Sequence, residues 1–255
     1  MNVEELLNEL RINMLRDKSD QISGPADELW SDDTLIRYVN DAYRRFCRRS
    51  LLLRDNEMAE FTQIALESGV VEYLLSPAVL AVISAKYDTD SNDLPRTSHD
   101  EVNAIPAADA LMWDINALST TQPGRPRVWY TDDAVLIASN TQMKLRVYPT
   151  PSATEVGKII YLRVARLPAK EFSLDEPEEA PEIPEDYHLD MLGWAAYRAL
   201  TNHDVDGAAN DRANQYKTQF EAVLAEVEQE SRRKLFATMR FAFGRNGYSW
   251  VRNTN

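Results

Sequence analysis

The run Asp88-Thr89-Asp90-Ser91-Asn92-Asp93 sets side-chain oxygens at alternate positions, the spacing by which a short loop closes on a hard cation such as calcium. The pattern then fails. Asp93 stands where such a loop turns through glycine, and the twelfth position is His99 where a bidentate glutamate belongs. Asp204 and Asp206 before Gly207 read as a turn for the same want of further ligands. His99, His188 and His203 are far apart, and no two stand at the four-residue spacing of a helical metal pair. His188 lies in an aromatic-rich helical pattern and is expected as a packed or interface residue. The sole cysteine, Cys47, has no partner for an internal disulfide or a cysteine zinc site and reads as a buried thiol in a reduced compartment. Gly-x-Ser-x-Gly elbows, Walker loops and dinucleotide fingerprints are missing, and the carboxylates are too numerous to single out an acid pair. No enzyme, metal or cofactor is expected.

The other chemistry available is charge. The chain of 255 residues has 28 Lys plus Arg against 41 Asp plus Glu, a formal charge of −13, the wrong sign for a surface that grips phosphate throughout. The charge is uneven. Arg232, Arg233, Lys234, Arg240, Arg245 and Arg252 follow Glu230 with no acid among them, so 231–255 carries +6 and 1–230 carries −19. The same segment holds Leu235, Phe236, Met239, Phe241, Phe243, Tyr248 and Trp250, too apolar for a solvated tail. It could serve nucleic acid, a membrane surface or a protein partner. Its aromatics favour protein docking, because apolar anchors in pockets dominate interface energy. A second basic surface comes from Arg37, Arg44, Arg45, Arg48 and Arg49, which pair with nearby acids or, in a homo-oligomer, meet the acidic 171–190 region of a neighbour.

These residues need elements to position them. Leu6, Leu7, Leu10, Ile12 and Leu15 predict a short amphipathic helix over 3–16. Ser31 or Asp32 caps a second, to about Ser50, whose apolar face is Leu35, Ile36, Val39, Ala42, Tyr43, Phe46 and Cys47. From Met58 the period falls to two. Gly69 separates Thr62–Leu66 from Val70–Leu75, a hairpin signal, and Val79–Ile83 reads as a strand. Val128–Tyr130 and Val135–Ala138 suggest a hairpin around Asp132-Asp133, and strands through Leu145 and Leu162 flank Pro149-Thr150-Pro151. A short helix is expected near Ser98–Ile105, with apolar residues over Leu111–Leu118. Residues 168–186, with four prolines among acids, read as a solvated connector. Pro184 opens a helix through Trp194 and Leu200, and a polar turn joins it to a second. There Ala209, Ala213, Tyr216, Phe220, Val223 and Val227 form a seam for one neighbour, with Tyr216 and Phe220 as inter-subunit candidates. The seam is expected to break at Ser231. No apolar run reaches the roughly 20 residues that span a bilayer, and the N-terminus is acidic where a signal peptide is basic, so a soluble protein without membrane contact is expected.

In order along the chain, Leu29-Trp30-Ser31-Asp32-Asp33, Leu35-Ile36-Arg37-Tyr38-Val39-Asn40-Asp41-Ala42, Tyr73-Leu74-Leu75-Ser76-Pro77, Gly124-Arg125-Pro126 with Trp129, Leu145-Arg146-Val147-Tyr148-Pro149-Thr150-Pro151, Ile183-Pro184-Glu185-Asp186-Tyr187-His188 and Trp194-Ala195-Ala196-Tyr197-Arg198-Ala199-Leu200 resemble the head-to-tail adaptor (connector) proteins of tailed bacteriophages, the short-tailed type included. The resemblance covers about 29–225; the segment after 230 carries no matching motif. It implies an α+β fold: a helical bundle domain over 1–57 and 183–230, an inserted antiparallel β-rich domain with its acidic connector over 58–182, and a C-terminal docking arm over 231–255. It also implies a homo-oligomeric ring of twelve under the portal protein, in the virion neck, assembled in host cytoplasm. Genomic DNA passes through such a ring without specific binding. The arm would climb onto the portal, and tail nozzle or fibre proteins would meet the other side. A nozzle or fibre-attachment component is the nearest alternative, and a nucleic-acid-binding protein using the basic arm a more distant one.

Overall fold

A computed structural model describes residues 1–17, 29–98, 123–137, 140–202 and 207–238; within these, side chains are described except at 132–137, 140–141, 207–209 and 235–238. The chain divides into two compact units, one of Met1–Leu53 with Leu167–Lys234 and one built on Arg54–Arg166. Helices and antiparallel sheets are both present, so the expected α+β class holds. The helix near Ser98–Ile105 and the apolar residues of 111–118 fall outside the described residues, apart from Ser98 itself. No helix among the described residues is long and apolar enough to cross a membrane.

In the first unit, α1 (Val3–Asn8) opens with a capping box: the Asn2 side chain accepts from the Glu5 N–H at 2.9 Å and the Glu5 carboxylate accepts from the Asn2 N–H at 3.1 Å. It runs on as a π-helical segment, Glu9–Leu15, with Leu10, Arg11 and Leu15 buried. α2 (Asp32–Ser50) is capped by Ser31, carries Asp32 and Asp33 at its positive end and Arg48 and Arg49 at its negative end, and stops where Leu51 turns left-handed at φ 49°. Its buried face is the expected apolar stripe, Cys47 included.

A single helical turn, α3 (Ala59–Thr62), belongs to the second unit; back in the first, a 3-10 turn, Glu185–Tyr187, leads into α4 (His188–Asn202). The last helix, α5, is Gly207–Thr238. Phe46 of α2, Trp194 of α4 and Phe220 of α5 meet with ring centroids 6.2 Å (Phe46–Phe220) and 5.7 Å (Trp194–Phe220) apart, which welds the three helices. A Cβ added to Gly193 of α4 would lie 3.3 Å from the Tyr216 carbonyl oxygen and 3.4 Å from the Phe220 Cβ. Gly193→Val therefore has nowhere to put its γ carbons. It is expected to lower stability by about 1–3 kcal/mol through overpacking, read as a lower urea midpoint. Gly193→Ala, which sets about 1 kcal/mol of helix propensity against that tight contact, should fall between the variant and the wild type.

The seam of α5 differs from expectation. Ala213, Phe220, Leu224, Val227 and Ser231 are buried while Tyr216 and Val223 are half-buried. Ser231 thus continues the seam four residues after Val227, and the helix runs through the change of composition to Thr238. The connector is also less solvated than its prolines and acids suggest. Phe172 stacks on Tyr43 at 4.9 Å, its N–H donates to Asn40 Oδ1 at 2.8 Å, and its carbonyl accepts from Asn40 Nδ2 at 2.9 Å. The Glu182 N–H donates to the Tyr43 hydroxyl oxygen at 2.7 Å. One face of the connector is thereby pinned to α2.

The second unit holds β1 (Arg54–Asp55), β2 (Gln63–Ala65), β3 (Glu72–Leu74), β4 (Val79–Tyr87), β5 (Asp93–Leu94), β6 (Val128–Ile137), β7 (Asn140–Tyr148) and β8 (Ile159–Arg166). One sheet runs β1-β8-β4-β5 with β2 also on β8; the other runs β3-β7-β6. Between them lie Phe61, Leu66, Tyr73, Val82, Trp129, Leu145, Ile160 and Leu162 among others. Two expectations are corrected. The segments around Gly69 do not pair as a hairpin: β2 pairs with β8 and β3 with β7, so the turn, with Gly69 at φ 79°, carries the chain from one sheet to the other. Asp132-Asp133 is an irregularity inside one long strand, and β6 instead forms its hairpin with β7, the register ending at Ile137 opposite Asn140. Period-two patterning marks strands but not partners, and both errors are of pairing.

Candidate interaction surface

Arg232, Arg233 and Lys234 ride on the exposed side of α5 beyond buried Ser231. Lys234 Nζ lies 2.6 Å from a Glu230 carboxylate oxygen one turn back, and the other oxygen accepts from the Tyr187 hydroxyl at 3.4 Å. The hydrogen bond and charge of Lys234 hold the Glu230 carboxyl below the usual range. The first cations of the basic segment are thus presented by a continuous helix instead of a loose chain. Leu235 and Phe236 continue the helical backbone with side chains outside the described residues; Met239, Arg240, Phe241, Phe243, Tyr248 and Trp250 lie wholly outside them.

The arginines of α2 divide by their neighbours. Arg44, exposed, pairs with Glu171 of the connector. Arg45 lies 3.4 Å from Glu221 and sets its guanidinium 3.9 Å over the Trp194 ring. Arg49 pairs with Glu221 and, at 3.0 Å, with Glu228. Those acids raise the Arg49 pKa, the Glu221 hydrogen bond contributing most, and although burial alone would raise the Glu221 pKa, the two arginines pull it below its ordinary value. Arg37 Nε donates to its own helix at the Asp33 carbonyl, 2.9 Å, and Arg48 makes no ion pair among the described residues. Arg37 and Arg48 are therefore the members of the set left facing outward without a carboxylate among the described residues.

The two inter-subunit candidates on α5 are placed within this chain. Phe220 is 1% exposed and belongs to the core with Phe46 and Trp194, a correction that follows from its position on the inner side of the seam. Tyr216 is half-buried, and its hydroxyl donates to the Met14 carbonyl at 3.1 Å, beside Arg212 Nη2 at 2.7 Å on the same oxygen. His188 is a buried packing residue: its Nε2 lies 2.9 Å from the Ile183 carbonyl. Spacing also passed over Asp41, which accepts from Trp194 Nε1 at 2.8 Å and Arg198 Nη1 at 3.2 Å and so ties α2 to α4. A lone carboxylate mid-helix carries no signal until its partners from another helix are in place.

In the second unit the Asp88–Asp93 loop spends its carboxylates on cations of the protein. Asp88 lies 3.0 Å from Lys158 Nζ, and Asp90 pairs with Arg125, whose guanidinium sits 4.3 Å over the Tyr87 ring. Tyr87 donates to Glu155, and burial together with that carboxylate pushes its phenol up to about 12. Among the described residues no carboxylates or histidines gather on one point here; the arrangement pins the end of β4 against the turn before β8.

A family model described as SU10 adaptor protein matches residues 1–242, which takes in both units and extends on either side of the motif run at 29–225. No curated protein matches the chain.

Proposed function

The chain belongs to the SU10 adaptor protein family, a phage head-to-tail adaptor family, and we propose that it forms a ring of twelve copies docked on the portal, open at its centre for the genome. Its role is structural, as a head-to-tail adaptor of the virion. The match across residues 1–242 carries this reading. The charge distribution supports it: a body at −19 repels phosphate, so DNA can move past it without sticking. On this reading α5 hands the chain to the portal. Arg232 and Arg233 give the first charged contacts, and the aromatic residues beyond Thr238 supply the buried anchors. Arg37 and Arg48, outward on α2, face a neighbouring subunit. Tail nozzle or fibre proteins meet the ring on the side away from the portal.

The test is a truncation ending at Thr238. Ser231 is part of the α5 seam, so cutting at 230 would disturb the fold, whereas cutting after 238 removes only residues beyond the helix. The truncated protein is expected to keep the thermal midpoint of the full chain and to lose co-sedimentation with portal rings. Undiminished portal binding by a folded truncation overturns the docking role of the arm.

A further inference from the structure

The outer face of the β1-β8-β4-β5 sheet gathers cations in a chain whose formal charge is −13. Residues directly opposite on antiparallel strands share a face, so the register fixes which ones meet. Arg54 opposes Ala165, Ser84 opposes Arg163, and Lys86 and Gln63 both oppose Tyr161. Arg54, Arg163, Tyr161 and Lys86 therefore stand on one side, while Ile160, Leu162 and Val164 fill the core on the other. Arg163 is exposed and Tyr161 is 39% exposed. Neither Arg163 nor Lys86 makes an ion pair among the described residues. Burial and then the like charge of Arg163 draw the Arg54 pKa down, which fits two guanidinium groups held side by side.

We infer that this face receives the acidic connector of a second copy of the chain. The connector's inner face is pinned to α2 of its own chain through Asn40, Tyr43 and Arg44, leaving Asp175, Glu176, Glu178, Glu182, Glu185 and Asp186 exposed. Against these the connector offers Lys170 alone between 168 and 186. Pro177 and Pro181 restrain the segment before it binds, which lowers the ordering cost of docking. A nucleic acid suits the face less well. Asp93, opposite Lys86 at the β5 rim, repels carboxylate and phosphate alike, so the choice rests on number: so few cations cannot neutralise the many phosphates on which nucleic-acid binding depends. This inference names the partner surface within the oligomer of the proposed function and rests on that reading for its setting.

Two full-length single-cysteine variants test it, with charge reversals added to them. Arg163→Cys in one copy and Asp175→Cys in another are expected to form an interchain disulfide on mild oxidation in the presence of portal rings, Cys47 being buried. Adding Lys86→Glu to the first chain should reduce the cross-link about fivefold, the scale of one or two exposed ion pairs, and adding Glu178→Lys to the second should restore it. No preference for this pair over a Val156→Cys control, on an exposed residue elsewhere in the unit, overturns the inference. So does duplex-DNA retention by the wild type that Arg163→Glu abolishes. Portal co-sedimentation is scored on the same samples. Portal binding without the cross-link sinks the connector contact alone, whereas a cross-link that forms equally without any portal binding sinks the adaptor ring and leaves the contact standing.

Discussion

Asp55→Ala is expected to destabilise the β unit by about 3–5 kcal/mol, because it strands a buried cation. Asp55 and Arg166 are each 7% exposed, and Arg166 Nε donates to Asp55 Oδ2 at 2.7 Å. The carboxylate's other oxygen accepts from the Glu57 N–H at 2.8 Å and the Met58 N–H at 3.1 Å. The guanidinium extends to the Met58 sulfur at 3.2 Å and lies 5.1 Å over the Phe61 ring. One ion pair thus fixes the start of the unit to its last strand. Burial alone would raise the Asp55 pKa, but the two amide donors and Arg166 outweigh it and pull the carboxyl below its ordinary value. A depressed folded-state pKa contributes stability that is present above the ordinary carboxylate range and is lost as pH falls through the folded value. Urea unfolding followed by hydrogen exchange in β8 should show a lower midpoint for the variant at neutral pH and a smaller difference from wild type below about pH 4. Asp55→Ala with Arg166→Met should recover much of the loss, since an apolar pair of similar size is often as stable as a buried ion pair. Equal instability of the single and double variants would show that lost packing, not the stranded charge, sets the cost.

Such pairs mark where the sequence was legible and where it was not. The α2 helix could be read almost to the residue, because its cap, its end charges and its buried stripe are all local. The strands were found wherever apolar and polar residues alternate. Their partners were not, because the Gly69 turn and the Asp132-Asp133 irregularity look alike whether the chain folds back or crosses to another sheet. The α5 seam was misread at its end, where a buried serine breaks the apolar pattern without breaking the helix. Site residues fared by the same rule. The arginines of α2 were visible as a basic run, but which of them meet acids depends on Glu171, Glu221 and Glu228, more than a hundred residues away. Phe220 looked like an interface residue because half of its environment comes from α2 and α4.

Arg11→Met separates burial from mere pairing. Arg11 is 3% exposed and lies in the π-helical segment, with Asp17 Oδ2 at 2.8 Å and Asp32 Oδ1 at 2.5 Å. The Asp17 side chain is 2% exposed and also accepts from the Leu29 N–H at 2.7 Å and the Trp30 N–H at 3.4 Å. The guanidinium therefore joins the end of the first helical segment to the residues that lead into α2, across the stretch 18–28. Among the described residues, removing it leaves the buried Asp17 carboxylate with amide donors only. The loss is expected at about 3 kcal/mol, the lower end for a broken buried pair, because those donors remain. Arg44→Met is the comparison. Arg44 and Glu171 are 52% and 59% exposed, and water replaces either partner at little cost, so that change should fall under about 1 kcal/mol. Urea midpoints of the two variants, taken at low and high salt, decide the matter: the Arg44 effect should fade with salt while the Arg11 effect persists, because a Debye length of about 8 Å screens exposed charges and not buried ones. Equal losses would mean that the Arg11 cluster is wetter than its exposure implies. On the proposed docking through α5, the Arg11 variant below its lowered midpoint should still co-sediment with portal rings, since its defect lies in the stability of the helical unit and not in the terminus that carries Arg232 and Arg233.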